Sequence, residues 1–394
     1  MLYYKKYILR KEDILMAKYE LIATAAFGLE ALVGKELKRL GYKDLKIENG
    51  KVTYFGDEEC ICKSNLWLRC ADRVFIKLAE FKATSFEELF QGSKAIPWDE
   101  YLPEDANFII NAKSVKSQLF SLSDIQSIVK KSIVEKLKAS YDIEWFEESG
   151  SKYPILVSIL NDVVTILLDT SGEALHRRGY REKGSSAPLK ETLAAALIML
   201  SNWRYDRNFI DPFCGSGTIP IEAALIARNI APGLNRSFAC EDWDFIISSL
   251  TWKKVRKEAY EAIIYDKEYK IFGYDIDSRI IPIARENAVK AGVDDCIHFQ
   301  TQPITDLSSN KQYGTIVCNP PYGERLNEIA EVQHLYKDMG KTFIKLENWS
   351  YYIITSYDEF EEYFGKKADK NRKLYNGRIQ CYYYQYIVPY PPKK

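Results

Sequence analysis

The chain has 394 residues, enough for two or three domains of roughly 100–200 residues each. Hydrophobic residues make up 46% and charged residues 28%, and 55 Lys plus Arg offset 55 Asp plus Glu to a formal net charge of zero. That balance is ordinary for a globular protein, and it excludes binding of nucleic acid through overall basicity. No stretch approaches the roughly 18 uninterrupted apolar residues of a membrane span. The first residues are rich in Tyr and Lys and lack the apolar run of a signal peptide. A cytoplasmic protein with no membrane partner is expected. Of eight cysteines only Cys60 and Cys62 lie close together, and the three histidines, His176, His298 and His334, are far apart. Reduced thiols and no metal site are therefore expected.

In chain order, residues 1–16 read as an extension, either an over-called start or a disordered tail, ahead of Met16-Ala17-Lys18-Tyr19. Residues 19–25 pattern as a strand, 29–40 as a helix with apolar residues at helical spacing, and 51–55 as a strand after Asn49-Gly50. A second α+β unit follows: a helix near 60–68, strands near 73–81 and 107–113, and a helix over 123–139. Strands 154–160 and 163–169 then pair as a hairpin around Asn161-Asp162. After Gly172 the texture changes to alternating helix and strand, the pattern of a parallel sheet. Helices are expected at 189–202, 219–228 and 280–291, and strands at 208–211, 270–274, 297–300, 314–318 and 351–355. Residues 373–375, the turn Asn376-Gly377 and residues 378–387 close the sheet as an antiparallel hairpin. Residues 231–265 read as an inserted, largely helical segment.

Three motifs carry the chemistry. The segment Asp211-Pro212-Phe213-Cys214-Gly215-Ser216-Gly217-Thr218 joins a strand to a helix at the carboxyl edge of the sheet, where doubly wound folds bind ligands. Gly215 and Gly217 admit close approach of the backbone to a ligand. No Lys follows Gly217, against a phosphate-cradling loop, and Pro220 occupies the third small position of a dinucleotide fingerprint. Asp211 beside the turn suits the amino group of a methionine better than a phosphate. The second strand ends in Asp275-Ile276, where an acid hydrogen-bonds the hydroxyls of a ribose. The third motif, Asn319-Pro320-Pro321-Tyr322, follows an apolar strand. The amino group of a base is a poor nucleophile because its lone pair is delocalised into the ring. The Asn319 side-chain oxygen and the Pro320 carbonyl, accepting its hydrogens, would draw the nitrogen toward a pyramidal form. Prolines fix the backbone that points that carbonyl, and Tyr322 offers a ring for an extruded base. Methyl transfer from a sulfonium needs mainly alignment, so no His or carboxylate base is called for.

Two clusters interleave basic and aromatic residues: His176-Arg177-Arg178-Gly179-Tyr180-Arg181 with Lys183, and Lys366 through Lys373 and Tyr375. Either alone reads as a solvated face; flanking a candidate catalytic domain, Arg177, Arg178, Tyr180, Arg181, Lys373 and Tyr375 become candidates for RNA contacts.

Taken together these segments resemble the THUMP-domain class I RNA methyltransferases, and among them the bacterial 23S ribosomal RNA guanine-N2-methyltransferases of the RlmL type. The resemblance runs from about Lys18 to the C-terminus. It rests on Ala23-Thr24-Ala25 with Gly28-Leu29-Glu30, on residues 175–181, on Pro188-Leu189-Lys190-Glu191-Thr192, on residues 211–218, on Ala231-Pro232-Gly233-Leu234, on residues 319–325 and on Leu374-Tyr375-Asn376-Gly377. It implies a ferredoxin-like region over residues 17–58, a THUMP RNA-binding domain over 59–170, and a Rossmann-like methyltransferase domain over 171–394. It implies S-adenosylmethionine lying against Asp211, Phe213, Gly215, Gly217, Thr218, Asp275 and Ile276, and a target amine at Asn319. Many relatives carry Asp or Asn beside the adenine; here Gln302-Pro303 stands there, and Asp306 is the candidate substitute. The partner implied is structured RNA, ribosomal foremost, acted on by a monomer or homodimer. Three other readings stay open: a transfer-RNA guanine-N2 methyltransferase, a DNA adenine-N6 methyltransferase, and a non-catalytic RNA-binding assembly factor. The DNA reading calls for a target-reading domain after the sheet, whereas the extra mass precedes it; intact Asp211, Gly215, Gly217 and Asn319 argue against the assembly factor.

Overall fold

Two seven-stranded sheets organise the computed structural model, which describes residues 19–181, 189–323 and 329–390. The expected extension over residues 1–16, Lys183, Pro188 and Arg325 lie outside the described residues.

The first sheet holds β1 (Tyr19–Ala25), β2 (Lys46–Glu48), β3 (Lys51–Gly56), β4 (Ala71–Lys82), β5 (Asn107–Val115), β6 (Lys152–Leu160) and β7 (Val163–Asp169), in the order β2-β3-β1-β4-β7-β6-β5. Four helices accompany it: α1 (Glu30–Arg39), α2 (Glu58–Trp67), α3 (Phe86–Lys94) and α4 (Leu122–Tyr141). The β6–β7 hairpin turns on Asn161 and Asp162, both at positive φ, which suits the right-handed twist of the strands. The twelve-residue β4 pairs with β1 on one side and β7 on the other, so the sheet is continuous across residue 58. The helix α2 starts from a cap in which Asp57 accepts from the Cys60 N–H at 2.9 Å, and it packs on β3 and β4.

The second sheet has the order β10-β9-β8-β11-β12-β14-β13. Its strands are β8 (Phe209–Asp211), β9 (Ile271–Asp275), β10 (Ile297–Thr301), β11 (Thr315–Cys318), β12 (Ser350–Thr355), β13 (Lys370–Asn376) and β14 (Ile379–Tyr386). The first five run parallel and β14 is antiparallel to both neighbours, as expected. Both β11 and β12 are buried along their whole length, which is why they read as unbroken apolar runs. Around them lie α5 (Glu191–Leu200), α6 (Thr218–Ala227), α7 (Ser249–Glu261), α8 (Ile281–Ala291), α9 (Ile329–Phe343) and α10 (Phe360–Phe364). Asn376 pairs with Ile379, so the closing hairpin turns on Gly377 and Arg378 rather than on Asn376-Gly377. Gly377 at φ +63° takes the glycine-first position of that tight turn. The chain lays β9 and β10 on one side of β8 and β11 and β12 on the other, so the strand order reverses there and opens a crevice at its carboxyl end.

The inserted segment, 231–265, is a clasp between the two sheets. Its helix α7 packs on α2, with Lys254 bridging Glu59 at 2.7 Å and Lys63 bridging Glu258 at 3.3 Å. The Gly233 N–H donates to Leu66 O at 3.0 Å, and the Trp243 indole donates to Lys152 O at 2.8 Å. All eight cysteines are buried and unbridged. No helix among the described residues is long and apolar enough to cross a membrane, and none of their His, Cys, Asp and Glu side chains form a group that could hold a metal ion.

Candidate active site

At the carboxyl end of β8 the chain turns sharply into α6. Asp211 is 1% exposed, and its Oδ1 accepts from the Phe213 N–H at 3.0 Å. Burial pushes its carboxyl well above the usual range; the Phe213 N–H opposes that and the Asp275 charge adds to it. Asp275 ties two turns together. Its Oδ2 accepts from the Gly215 N–H at 2.9 Å and its Oδ1 from the Asp277 N–H at 3.0 Å. Each oxygen keeps a further lone pair, so the carboxylate can still accept from hydroxyl groups. Ile276 beside it is 75% exposed.

The two glycines of the turn differ. Gly215, at φ +50°, has no heavy atom within 4 Å of where a Cβ would sit, so its upper face is open. Gly217, at φ +88°, would bring a Cβ to 3.1 Å from Phe299 and 3.2 Å from Ala284. Close approach of a ligand was the expected reason for both. There is room for it at Gly215, whereas core packing fills the space at Gly217, and the positive φ favours glycine at both. Thr218 opens α6 and is buried; its hydroxyl accepts from Arg181 at 3.1 Å.

Asn319 and Pro320 leave the end of β11 at the same edge. The Tyr322 hydroxyl donates to Asn319 Oδ1, and Cys381 Sγ lies 3.9 Å from that hydroxyl. Instead of standing free as a platform, the Tyr322 ring packs against the core. The Asn319 oxygen keeps one further lone pair. The Pro321 carbonyl is held from behind by the Tyr336 hydroxyl at 2.7 Å, itself 2.9 Å from Thr355 Oγ1. Tyr336 and Thr355 were missed in the sequence: on α9 and β12 they look like ordinary core positions, and only the need of a buried hydroxyl for a partner sets them apart. Gln302 donates its N–H to Asp275 O at 2.9 Å, which puts it beside the ribose candidate, while Asp306 lies exposed on the following short turn.

Three of the residues expected on RNA, Arg178, Tyr180 and Arg181, are turned into the protein. Arg178 and Tyr180 are 3% and 1% exposed, so neither can reach an RNA. The Arg178 guanidinium donates to Leu175 O at 2.7 Å and Arg69 O at 2.5 Å and lies 3.4 Å from Glu222. Tyr180 donates to the same Glu222 carboxylate at 3.2 Å. Arg69 in turn donates to Ile230 O at 2.7 Å, and its N–H reaches the buried Glu36 carboxylate at 2.8 Å. The cluster is the seam between the two sheets: a buried charge persists only when paired and hydrogen-bonded, and this one is. Arg181 is turned inward as well, bridging Glu191 at 2.9 Å beside Thr218. Arg177, beside them in the chain, is exposed. Lys373 and Tyr375 lie toward the surface, the ammonium 5.6 Å from the ring centroid.

A parallel sheet closed by an antiparallel hairpin, with a glycine turn, a ribose-ready acid and Asn-Pro-Pro-Tyr on one edge, defines a class I methyltransferase catalytic domain. The chain belongs to the RMKL-like methyltransferase family, whose model matches residues 178–385; models of the RlmL ferredoxin-like domain and the THUMP domain match residues 20–75 and 83–169. A Bacillus subtilis protein named "Putative RNA methyltransferase YpsC" is 52% identical over 96% of this chain and 98% of its own. The "Ribosomal RNA large subunit methyltransferase K/L" of Syntrophotalea carbinolica is 33% identical over 93% of the chain, which spans only 53% of that longer protein. Among solved structures, SMU.472 in complex with SAH superposes with a TM-score of 0.90 at 47% identity, covering 95% of this chain and 99% of that one. A Listeria monocytogenes protein described as a "predicted N6-adenine-specific DNA methylase" superposes at 0.91 with 50% identity, covering 97% and 99%.

Proposed function

We propose that this methyltransferase transfers a methyl group from S-adenosylmethionine to the exocyclic N2 amine of a guanine in large-subunit ribosomal RNA, in the cytoplasm. The observation that carries the reading is the meeting on one sheet edge of the open turn at Gly215 and the amine-accepting oxygens of Asn319 and Pro320. The residues present fit the donor. Space over Gly215 admits it, Asp211 suits its amino group, Asp275 has lone pairs left for two ribose hydroxyls, and Ile276 offers an apolar face to adenine. SAH, the remnant of the donor after methyl transfer, is held by the similar SMU.472, which supports the same cofactor here. When bound, that cofactor supplies a methyl group on a positively charged sulfur. The work left to the protein is alignment. Asn319 and Pro320 accept the two hydrogens of the amine and turn its lone pair toward the methyl. The Tyr336 and Thr355 pair fixes the loop that aims them, and Tyr322 steadies the Asn319 side chain. Transfer of that methyl to the nitrogen would release S-adenosylhomocysteine and leave the nitrogen with one proton to lose, which water would take.

Ribosomal RNA is favoured by the K/L relatives and by the RNA-binding type of domain ahead of the catalytic one. An adenine amine in DNA is the second reading, favoured by the description of the Listeria protein. The test offers labelled cofactor to the protein with protein-free ribosomal RNA, total transfer RNA and genomic DNA, all from cells lacking it. N2-methylguanosine in the large ribosomal RNA is the expected product. Label only in transfer RNA would keep the chemistry and change the substrate, and label only in DNA adenine would overturn the reading.

A further inference from the structure

Above the closing hairpin the first sheet and the methyltransferase domain face each other across a cavity of about 500 Å³, inside the ordinary range for ligand sites. One wall is the loop after β1. Phe27 on that loop is 58% exposed, so its ring is open to a ligand. The loop is fixed rather than loose: the Glu30 carboxylate accepts from the Gly28 and Gly50 N–H groups, both at 2.9 Å. Gly28, at φ +91°, lies so close to the hairpin that a Cβ would come within 3.0 Å of Lys373 O. The opposite wall is the hairpin turn, with Tyr375 and Arg378. The rings of Phe27 and Tyr375 meet edge to face, centroids 6.3 Å apart at 65°. Lys190, Leu193 and the half-buried Asp72 complete the lining.

The cavity therefore joins two aromatic faces, two cations and one carboxylate. It also lies next to the candidate chemistry. Cys381, 3.9 Å from the Tyr322 hydroxyl, pairs across the hairpin with Leu374, the neighbour of Tyr375. We propose that this cavity holds one unpaired nucleotide flanking the methylated one. Its base stacks on the exposed Phe27 ring and meets the Tyr375 ring at its edge, its phosphate meets Lys190 or Arg378, and Asp72 accepts from the N–H edge of the base. The first domain then supplies part of substrate selection, through a residue type that charge patterning does not reveal. This rests on the RNA reading given above and adds a binding subsite to it.

The test uses the full chain with Phe27→Ala, Tyr375→Ala and Phe27→Leu. Binding of protein-free 23S ribosomal RNA by filter retention, methyl transfer to it, SAH affinity and thermal unfolding are measured side by side. Loss of stacking on a single base predicts RNA binding weakened about 5- to 150-fold in either alanine variant. SAH affinity and the unfolding temperature stay at wild-type values. Phe27→Leu behaves like the alanine variant, because it keeps apolar bulk without a ring. Wild-type RNA affinity in the alanine variants overturns the subsite, and so does full rescue by Phe27→Leu, which would make Phe27 a packing residue. Ring-dependent RNA binding without methyl transfer by the wild type would leave the subsite standing and sink the proposed reaction instead.

Discussion

The seam at Arg178 and the sheet edge at Asn319 are both dense in polar groups, and they are built on opposite principles. At the seam the charged groups are spent on one another and on the backbone: Arg178 has two carbonyls and Glu222, and Glu36 accepts two backbone N–H groups, with Glu222 Oε2 and Arg69 Nη1 left buried without a hydrogen bond. At the edge, acceptors are held in place with capacity to spare, as at Asp275 and Asn319, beside the open face of Gly215. Buried polar groups complete in their hydrogen bonds fix geometry; oriented groups with lone pairs left over are what a ligand can use. The difference teaches that a basic-aromatic run in a sequence is assigned by where its partners lie, not by its composition.

Substitutions can break the comparison. Glu222→Ala should have the largest effect, because it strands the Arg178 charge in the seam. We expect a loss of about 3–5 kcal/mol in unfolding free energy, read by denaturant titration; a loss below about 1 kcal/mol would show the seam to be slack. Asn319→Ala should lower single-turnover methyl transfer by about 10²–10³-fold, as removal of one preorganised polar group at a reaction centre commonly does. SAH affinity, by calorimetry, should be unchanged, and equal loss of both would remove Asn319 from the chemistry.

The two glycines sharpen the contrast on one turn. Gly217→Ala meets Phe299 and Ala284 at a φ of +88° and should cost stability, roughly 1–2 kcal/mol for the backbone term alone. Gly215→Ala carries the same kind of left-handed backbone cost at φ +50° but meets no protein atom, so it should cost less stability than Gly217→Ala while also lowering SAH affinity. Reversed outcomes would mean the open face is not the cofactor's. Arg177→Ala should reduce the salt slope of RNA binding by about one charge, whereas Arg178→Ala should lower the unfolding temperature and leave that slope alone. The smallest effect concerns protons. Burial raises the Asp211 carboxyl, so the free protein keeps a proton there at a pH where an ordinary carboxylate has lost it. A cation bound beside it favours the ionised form. SAH binding should therefore release protons and strengthen as pH rises from the acid side, visible as a buffer-dependent binding enthalpy; proton uptake would contradict the pairing.

Much of this was legible beforehand, where local pattern and tertiary role coincide. The β6–β7 hairpin, the parallel core of β8 to β12 and the closing hairpin follow from period-two alternation, apolar runs and turn residues. Two elements of the first sheet went unread. The strand β2 is three half-exposed residues with no periodicity, while α3 carried a readable sign, the Ser85–Glu88 capping box, in a stretch of weak apolar patterning. At the site, glycines and the Asn-Pro-Pro-Tyr motif were visible because backbone geometry demands those residue types. Tyr336, Glu222 and the clasping role of the inserted segment 231–265 were not, since each acts through a partner distant in the chain. Arg178 and Tyr180 misled for the same reason: Arg and Tyr serve a buried seam as well as a nucleic-acid surface.

The most direct test is nucleoside mass spectrometry of large-subunit ribosomal RNA from cells lacking the protein, complemented with the wild type or with Asn319→Ala. The account predicts an N2-methylguanosine that is absent in the deletion, restored by the wild type and not restored by Asn319→Ala. A nucleoside profile identical in all of these cells would contradict it.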